Sequence, residues 1–167
     1  ENAAAAVPAG DAGGLTVTAP VAGEAIELSE VKDPMFSGGM LGPGAAIVPT
    51  EGRVVAPFDG EVIVAFPTGH AYGLRSASGV EVLIHIGMDT VQLDGKHFRP
   101  EVRVGQRVRR GELLAEFDLA AVAAAGYDTT TPVVITNAAD YERIDAAVGG
   151  PVVTGDQFLT AVALAKV

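Results

Sequence analysis

Apolar side chains along this chain recur mainly at every second position, in short runs broken by glycine and proline. Leu15, Val17 and Ala19 alternate at the start of the patterned region. Val80, Val82, Ile84 and Ile86 do so again in the clearest run of all. A period of two is the mark of a strand with one face buried. Further strand signals cover Glu61 to Phe66, Pro132 to Thr136 and Phe158 to Leu164. Gly105 to Leu114 reads as turn, strand, turn, strand. Helix is scarce. The best candidate opens at Asp118, a good N-cap, crosses an alanine run and stops at Gly126. A second short turn is expected around Asp140 to Ala147. The pattern predicts an all-β chain: an antiparallel β-sandwich or flattened barrel with one or two short helices.

One octet pattern, A-P-x-x-G-E-x-I, occurs twice. Ala19-Pro20-Val21-Ala22-Gly23-Glu24-Ala25-Ile26 returns as Ala56-Pro57-Phe58-Asp59-Gly60-Glu61-Val62-Ile63. Each copy pairs a turn with the start of a strand, so two similar turn-strand units are expected in one structure. Residues 1–14 are mostly alanine, glycine and proline, too little apolar bulk to order themselves, and read as a flexible leader or linker. One domain is expected over 15–167, a length that can bury a real core.

Charge removes several function classes. The formal net charge is −10, and no run offers the basic face that nucleic acid requires. Arg103, Arg107, Arg109 and Arg110 are the one basic cluster, without interleaved aromatics, and read as a solvated face. There is no cysteine, so disulfides, thiolate metal sites and cysteine catalysis are excluded for these residues. No apolar stretch suits a bilayer-spanning helix, and a cytoplasmic location is expected.

Three histidines remain as reactive candidates. If Val80, Val82, Ile84 and Ile86 face the core, His85 faces outward with Glu81 and Leu83, on a rigid strand. His70 follows an apolar strand, and Thr68 is close enough to hydrogen-bond its imidazole and fix its tautomer. Imidazole is largely unprotonated near neutral pH and is a good nucleophile, so two of them side by side suit phosphoryl transfer. The bland alternative is two unrelated surface histidines. His97 reads as a solvent-facing loop residue. Met35, Phe36 and Met40 lie in a glycine-rich segment without clean period; with Phe66 and Leu83 they suggest an exposed apolar collar, or else a plug at one end of the barrel.

The run Gly79-Val80-Glu81-Val82-Leu83-Ile84-His85-Ile86-Gly87-Met88-Asp89-Thr90-Val91, followed by Leu93, Gly95 and Phe98, resembles the signature of the glucose-type EIIA domains of the bacterial sugar phosphotransferase system. Thr68-Gly69-His70-Ala71-Tyr72, Val55-Ala56-Pro57 with Asp59-Gly60, and Thr131 to Asn137 resemble further segments of that family, in the same order. The resemblance implies that His85 accepts a phosphoryl group from the phosphohistidine of HPr and passes it to a cysteine of the EIIB domain of a sugar permease. It implies that His70 hydrogen-bonds the phosphoryl group and that Thr68 orients His70. Asp33 and Asp89 match acidic positions that meet arginines of HPr. Met35, Phe36, Met40, Phe66, Leu83 and Val91 match the apolar ring around the histidines. It also implies regulated enzymes or transporters as further partners, and contact with the membrane only through the permease. No cofactor is required; zinc held by His70 and His85 together with a partner is the one metal expectation. Gly69, Pro34 and Ser37-Gly38-Gly39 depart from the family's usual pattern, and the leader does not read as an amphipathic helix.

Competing readings are weaker. A lysostaphin-type zinc endopeptidase needs an H-x-H pair, which this chain lacks. A lipoyl or biotinyl carrier needs a lysine at a hairpin tip, and Lys32, Lys96 and Lys166 lie elsewhere. A purely regulatory binding domain would keep the collar without turning over phosphate.

Overall fold

The structure, a computed structural model, describes residues 15–164. The expected leader at 1–14 lies outside them. Among the described residues there are fourteen strands: β1 (Leu15–Thr18), β2 (Gly23–Glu27), β3 (Gly44–Pro49), β4 (Arg53–Val55), β5 (Gly60–Ala65), β6 (Ala71–Ser76), β7 (Glu81–His85), β8 (Phe98–Pro100), β9 (Arg107–Val108), β10 (Leu113–Phe117), β11 (Thr131–Ile135), β12 (Arg143–Ala146), β13 (Gly150–Val152) and β14 (Gln157–Val162). Two short α-helices join them, α1 (Pro34–Ser37) and α2 (Leu119–Ala124). The Asp118 carboxylate accepts from the Ala121 amide and so starts α2 where the sequence placed it. The expected turn at 140–147 is instead a single 3-10 turn, Ala138–Asp140, followed by strand β12, which pairs with β14. Isoleucine and alternation there favour the sheet once β14 offers an edge.

An eight-stranded antiparallel sheet runs β9-β5-β6-β7-β11-β3-β2-β13, and two three-stranded sheets, β4-β10-β8 and β12-β14-β1, share its core. The pairings close no barrel among the described residues, so the sandwich form of the expectation holds.

The repeated octet is the visible part of a repeat in the pairing. Val152 of β13 faces Gly23 of β2, and Val108 of β9 faces Gly60 of β5. β14 meets β1 with a bulge between Gln157 and Leu159; β10 meets β4 with the same bulge between Leu113 and Ala115. The two proline turns even bond reciprocally: the Thr18 amide donates to the Pro57 carbonyl at 3.1 Å, and the Val55 amide to the Pro20 carbonyl at 2.8 Å. The glycine in each octet is steric in origin, since a Cβ would strike the Val48 carbonyl oxygen at Gly23 and the Arg75 carbonyl oxygen at Gly60. Under this scheme β6 and β7 correspond to β3 and β11, the four central strands of the sheet.

The main core takes Val80, Val82, Ile84 and Ile86, as alternation predicted. A second apolar cluster, Leu28, Val31, Phe36, Ala46, Met88 and Val134, lies on the other face of the large sheet. There the segment from Leu28 through α1 covers β3 and β11 and stops beside His85.

Candidate functional site

The site forms where β6 and β7 meet. Ala71 pairs with His85, so regular alternation would send His70 to the opposite face. The chain instead turns at Gly69, whose φ is +77°, and His70 enters before β6 begins. Its carbonyl accepts the Ile86 amide at 2.6 Å, and the Tyr72 hydroxyl donates to the Gly69 carbonyl at 2.9 Å. The two imidazoles end with centroids 4.9 Å apart and planes at 83°. The sequence alone could allow this pairing but not show it.

Each ring is held at Nδ1. His85 Nδ1 lies 2.7 Å from the Gly87 carbonyl oxygen. A carbonyl only accepts, so His85 carries its proton on Nδ1 and presents the Nε2 lone pair. His70 Nδ1 lies 2.6 Å from Thr68 Oγ1, as the sequence suggested for that pair. When the hydroxyl donates, His70 bears its proton on Nε2 and offers a donor there.

His70 is only 2 % exposed, and burial first, then the neighbouring His85, hold its pKa down at about 4. Burial also lowers His85, against the opposing pull of the Gly87 carbonyl, Asp33 and Asp89. Low basicity keeps both rings neutral near pH 7, which is what a nitrogen nucleophile needs.

The surroundings match the expected collar in part. Phe66 meets His70 edge-on at 5.2 Å, and Met35, Met40, Phe66 and Val91 are exposed. Leu83 shares His85's half-buried face. Phe36 differs: it is 3 % exposed, sits in the second cluster and tilts against His85 at 5.2 Å. It is a wall of the site rather than part of an exposed collar. Its segment was expected to lack period, yet Asp33 caps the Met35 amide at 2.9 Å and Pro34 opens a one-turn helix. Asp33 therefore has a structural task besides its charge. Asp89 is exposed at φ +60°. His97, expected to face solvent, is half-buried, with its carbonyl accepting the Asp118 amide.

Sequence reasoning missed the Gly87 carbonyl as a partner of His85; a glycine two residues after the histidine, just past the strand end, was the available signal. Gly87 has φ +76°, and a Cβ there would press on Thr90 Cγ2 and the Asp128 carbonyl oxygen.

Residues 15–141 match the family described as phosphoenolpyruvate-dependent sugar phosphotransferase system, EIIA 1. The chain belongs to this family. As an EIIA chain it is a phosphotransferase component of that system. It is 54 % identical over 137 residues to the beta-glucoside-specific EIIBCA component of Dickeya chrysanthemi, covering 82 % of this chain and 22 % of that protein. It is 45 % identical over 134 residues to the glucose-specific EIIA component of Bacillus cereus, covering 80 % of this chain and 81 % of that one. The glucose permease IIA structure from Mycoplasma capricolum superposes with a TM-score of 0.80 at 39 % identity, covering 88 % of this chain and 95 % of that chain. The chain thus spans about a fifth of the length of the beta-glucoside-specific relatives, whose names join EIIA to EIIB and EIIC. No helix among the described residues is long and apolar enough to cross a membrane.

Proposed function

We propose that this EIIA domain relays a phosphoryl group through Nε2 of His85, from the phosphohistidine of HPr to a cysteine of an EIIB domain. The observation that supports the reading most is the Nδ1 contact to Gly87, which leaves Nε2 as the free lone pair. In the first step that lone pair attacks phosphorus, a new N–P bond forms, and the donor's N–P bond returns its pair to the donor imidazole. In the second step a cysteine thiolate attacks, the N–P bond at His85 breaks, and its electrons return to Nε2. His70 Nε2–H donates to a phosphoryl oxygen and offsets its charge, with Thr68 holding the ring. Met35, Met40, Phe66, Leu83 and Val91 form the apolar docking rim, and Asp33 and Asp89 steer a basic partner. A zinc ion has too few ligands here alone. Among the described residues no three histidines, cysteines or carboxylates gather as ligands, so His70 and His85 would hold zinc only with groups from a partner.

Incubation with radiolabelled phospho-HPr tests the relay. The expected product is acid-labile and base-stable, absent in His85→Ala, and formed in His70→Gln but discharged to EIIB about a hundredfold slower. Label that survives acid, or full acceptance by His85→Ala, refutes the assignment.

A further inference from the structure

Thr90 is completely buried, yet it is polar and lies outside the set that meets the phosphoryl group. Its Oγ1 donates to the Ile86 carbonyl at 2.5 Å. Ile86 is the residue between His85 and Gly87, and its amide is already bound to the carbonyl of His70 at 2.6 Å. Ile86 is therefore gripped on both sides, by the backbone of one histidine and by the Thr90 hydroxyl. The Ile86 carbonyl belongs to the same rigid peptide unit as the Gly87 nitrogen. Fixing that plane, together with the left-handed Gly87 and the Met88 amide bound to the Asp128 carbonyl at 2.8 Å, sets where the Gly87 carbonyl points. That carbonyl is the acceptor that keeps the His85 proton on Nδ1. The Thr90 methyl, for its part, occupies the space that a side chain on Gly87 would need.

From this chain of contacts we infer that Thr90 is a positioning residue for phosphoryl transfer, whose hydroxyl holds the 86–87 peptide so that His85 stays in the tautomer with a free Nε2. The inference rests on the relay proposed above. A buried hydroxyl that only stapled the turn would support stability but leave the imidazole's tautomer unchanged. The two roles therefore separate by measurement.

Nitrogen NMR of isotopically labelled histidine reports the His85 tautomer in the unphosphorylated domain, and transfer from phospho-HPr reports the rate. Thr90→Val keeps shape and removes the hydroxyl; Thr90→Ser restores it. The expected result is a wild-type ring protonated on Nδ1, a loss of that preference in Thr90→Val with transfer slowed about tenfold, and recovery of both in Thr90→Ser to within about twofold. Circular dichroism checks the fold of each variant. If Thr90→Val does not fold, Thr90→Ala against Thr90→Ser gives the same comparison, since both lack the methyl and only one has the hydroxyl. An unchanged tautomer in the hydroxyl-free variant, whatever its rate, overturns the inference, as does failure of serine to restore both readouts. If the wild type itself accepts no phosphate, the relay fails, and the tautomer measurement still decides the role of Thr90.

Discussion

The neighbouring central strands β7 and β11 occupy corresponding places in the repeated pairing scheme, and they differ in one respect. In β7, Glu-Val-Leu-Ile-His alternates between half-buried and buried positions. In β11, Thr-Pro-Val-Val-Ile is buried throughout. The backbones around them match closely: the Ile86 amide donates to the His70 carbonyl, and the Ile135 amide donates to the Pro43 carbonyl. Val134 stands where His85 stands, and Pro43 where His70 stands. What separates them is the cover. The segment carrying Phe36 lies over Val134 and Ala46 but ends at the edge of His85. One frame thus serves two ends, as a second apolar core on one half and a pair of adjoining histidines on the other.

The sharpest test exchanges the two losses. His85→Ala removes all phosphate acceptance and changes stability by about 1 kcal/mol or less, because the site is already half-open. Val134→Ala does the reverse: it costs about 2 kcal/mol of unfolding free energy, read by urea titration, with acceptance intact. If both variants lost the same property, the contrast between the halves would be wrong. Phe36→Ala extends this. It opens the second core, so a loss of about 3 kcal/mol is expected, accompanied by slower transfer because the ring also walls His85. A variant of full stability with weakened HPr binding would return Phe36 to the docking rim.

Acid should reach the histidine half through His70. His70 has a folded pKa of about 4 against an ordinary 6.5, so the unfolded chain takes up its proton first. This contribution is complete above about pH 6.5, falls as pH drops toward about 4 and then levels off, with a span of up to about 3 kcal/mol. Denaturation curves of wild type and His70→Gln across that window should diverge, with the shallower slope in the variant. Parallel curves would mean that His70 is not held neutral. The smallest effect belongs to the rim. Met40 is 71 % exposed, so Met40→Ser should leave stability within about 0.5 kcal/mol and weaken HPr binding less than Phe66→Ala does. Titration calorimetry ranks the two.

Much of this was written in the order of residues. Alternation at Val80, Val82, Ile84 and Ile86 fixed both the strand and the outward aim of His85, because side chains on a strand must alternate. The duplicate octets announced a repeated unit, and Thr68 named its own partner two residues away. Local chemistry of this kind is legible because the interacting groups are neighbours in the chain. Other features depended on contacts between distant segments. His70 reaches His85 only because Gly69 turns the chain against Phe98 and Pro100, out of strand alternation. Phe36 is a wall rather than a rim because β3 and β11, brought together by pairing, present Ala46 and Val134 beneath it. Composition shows that Phe36 and Met40 are both apolar; only the cover supplied by remote strands decides which of them water reaches.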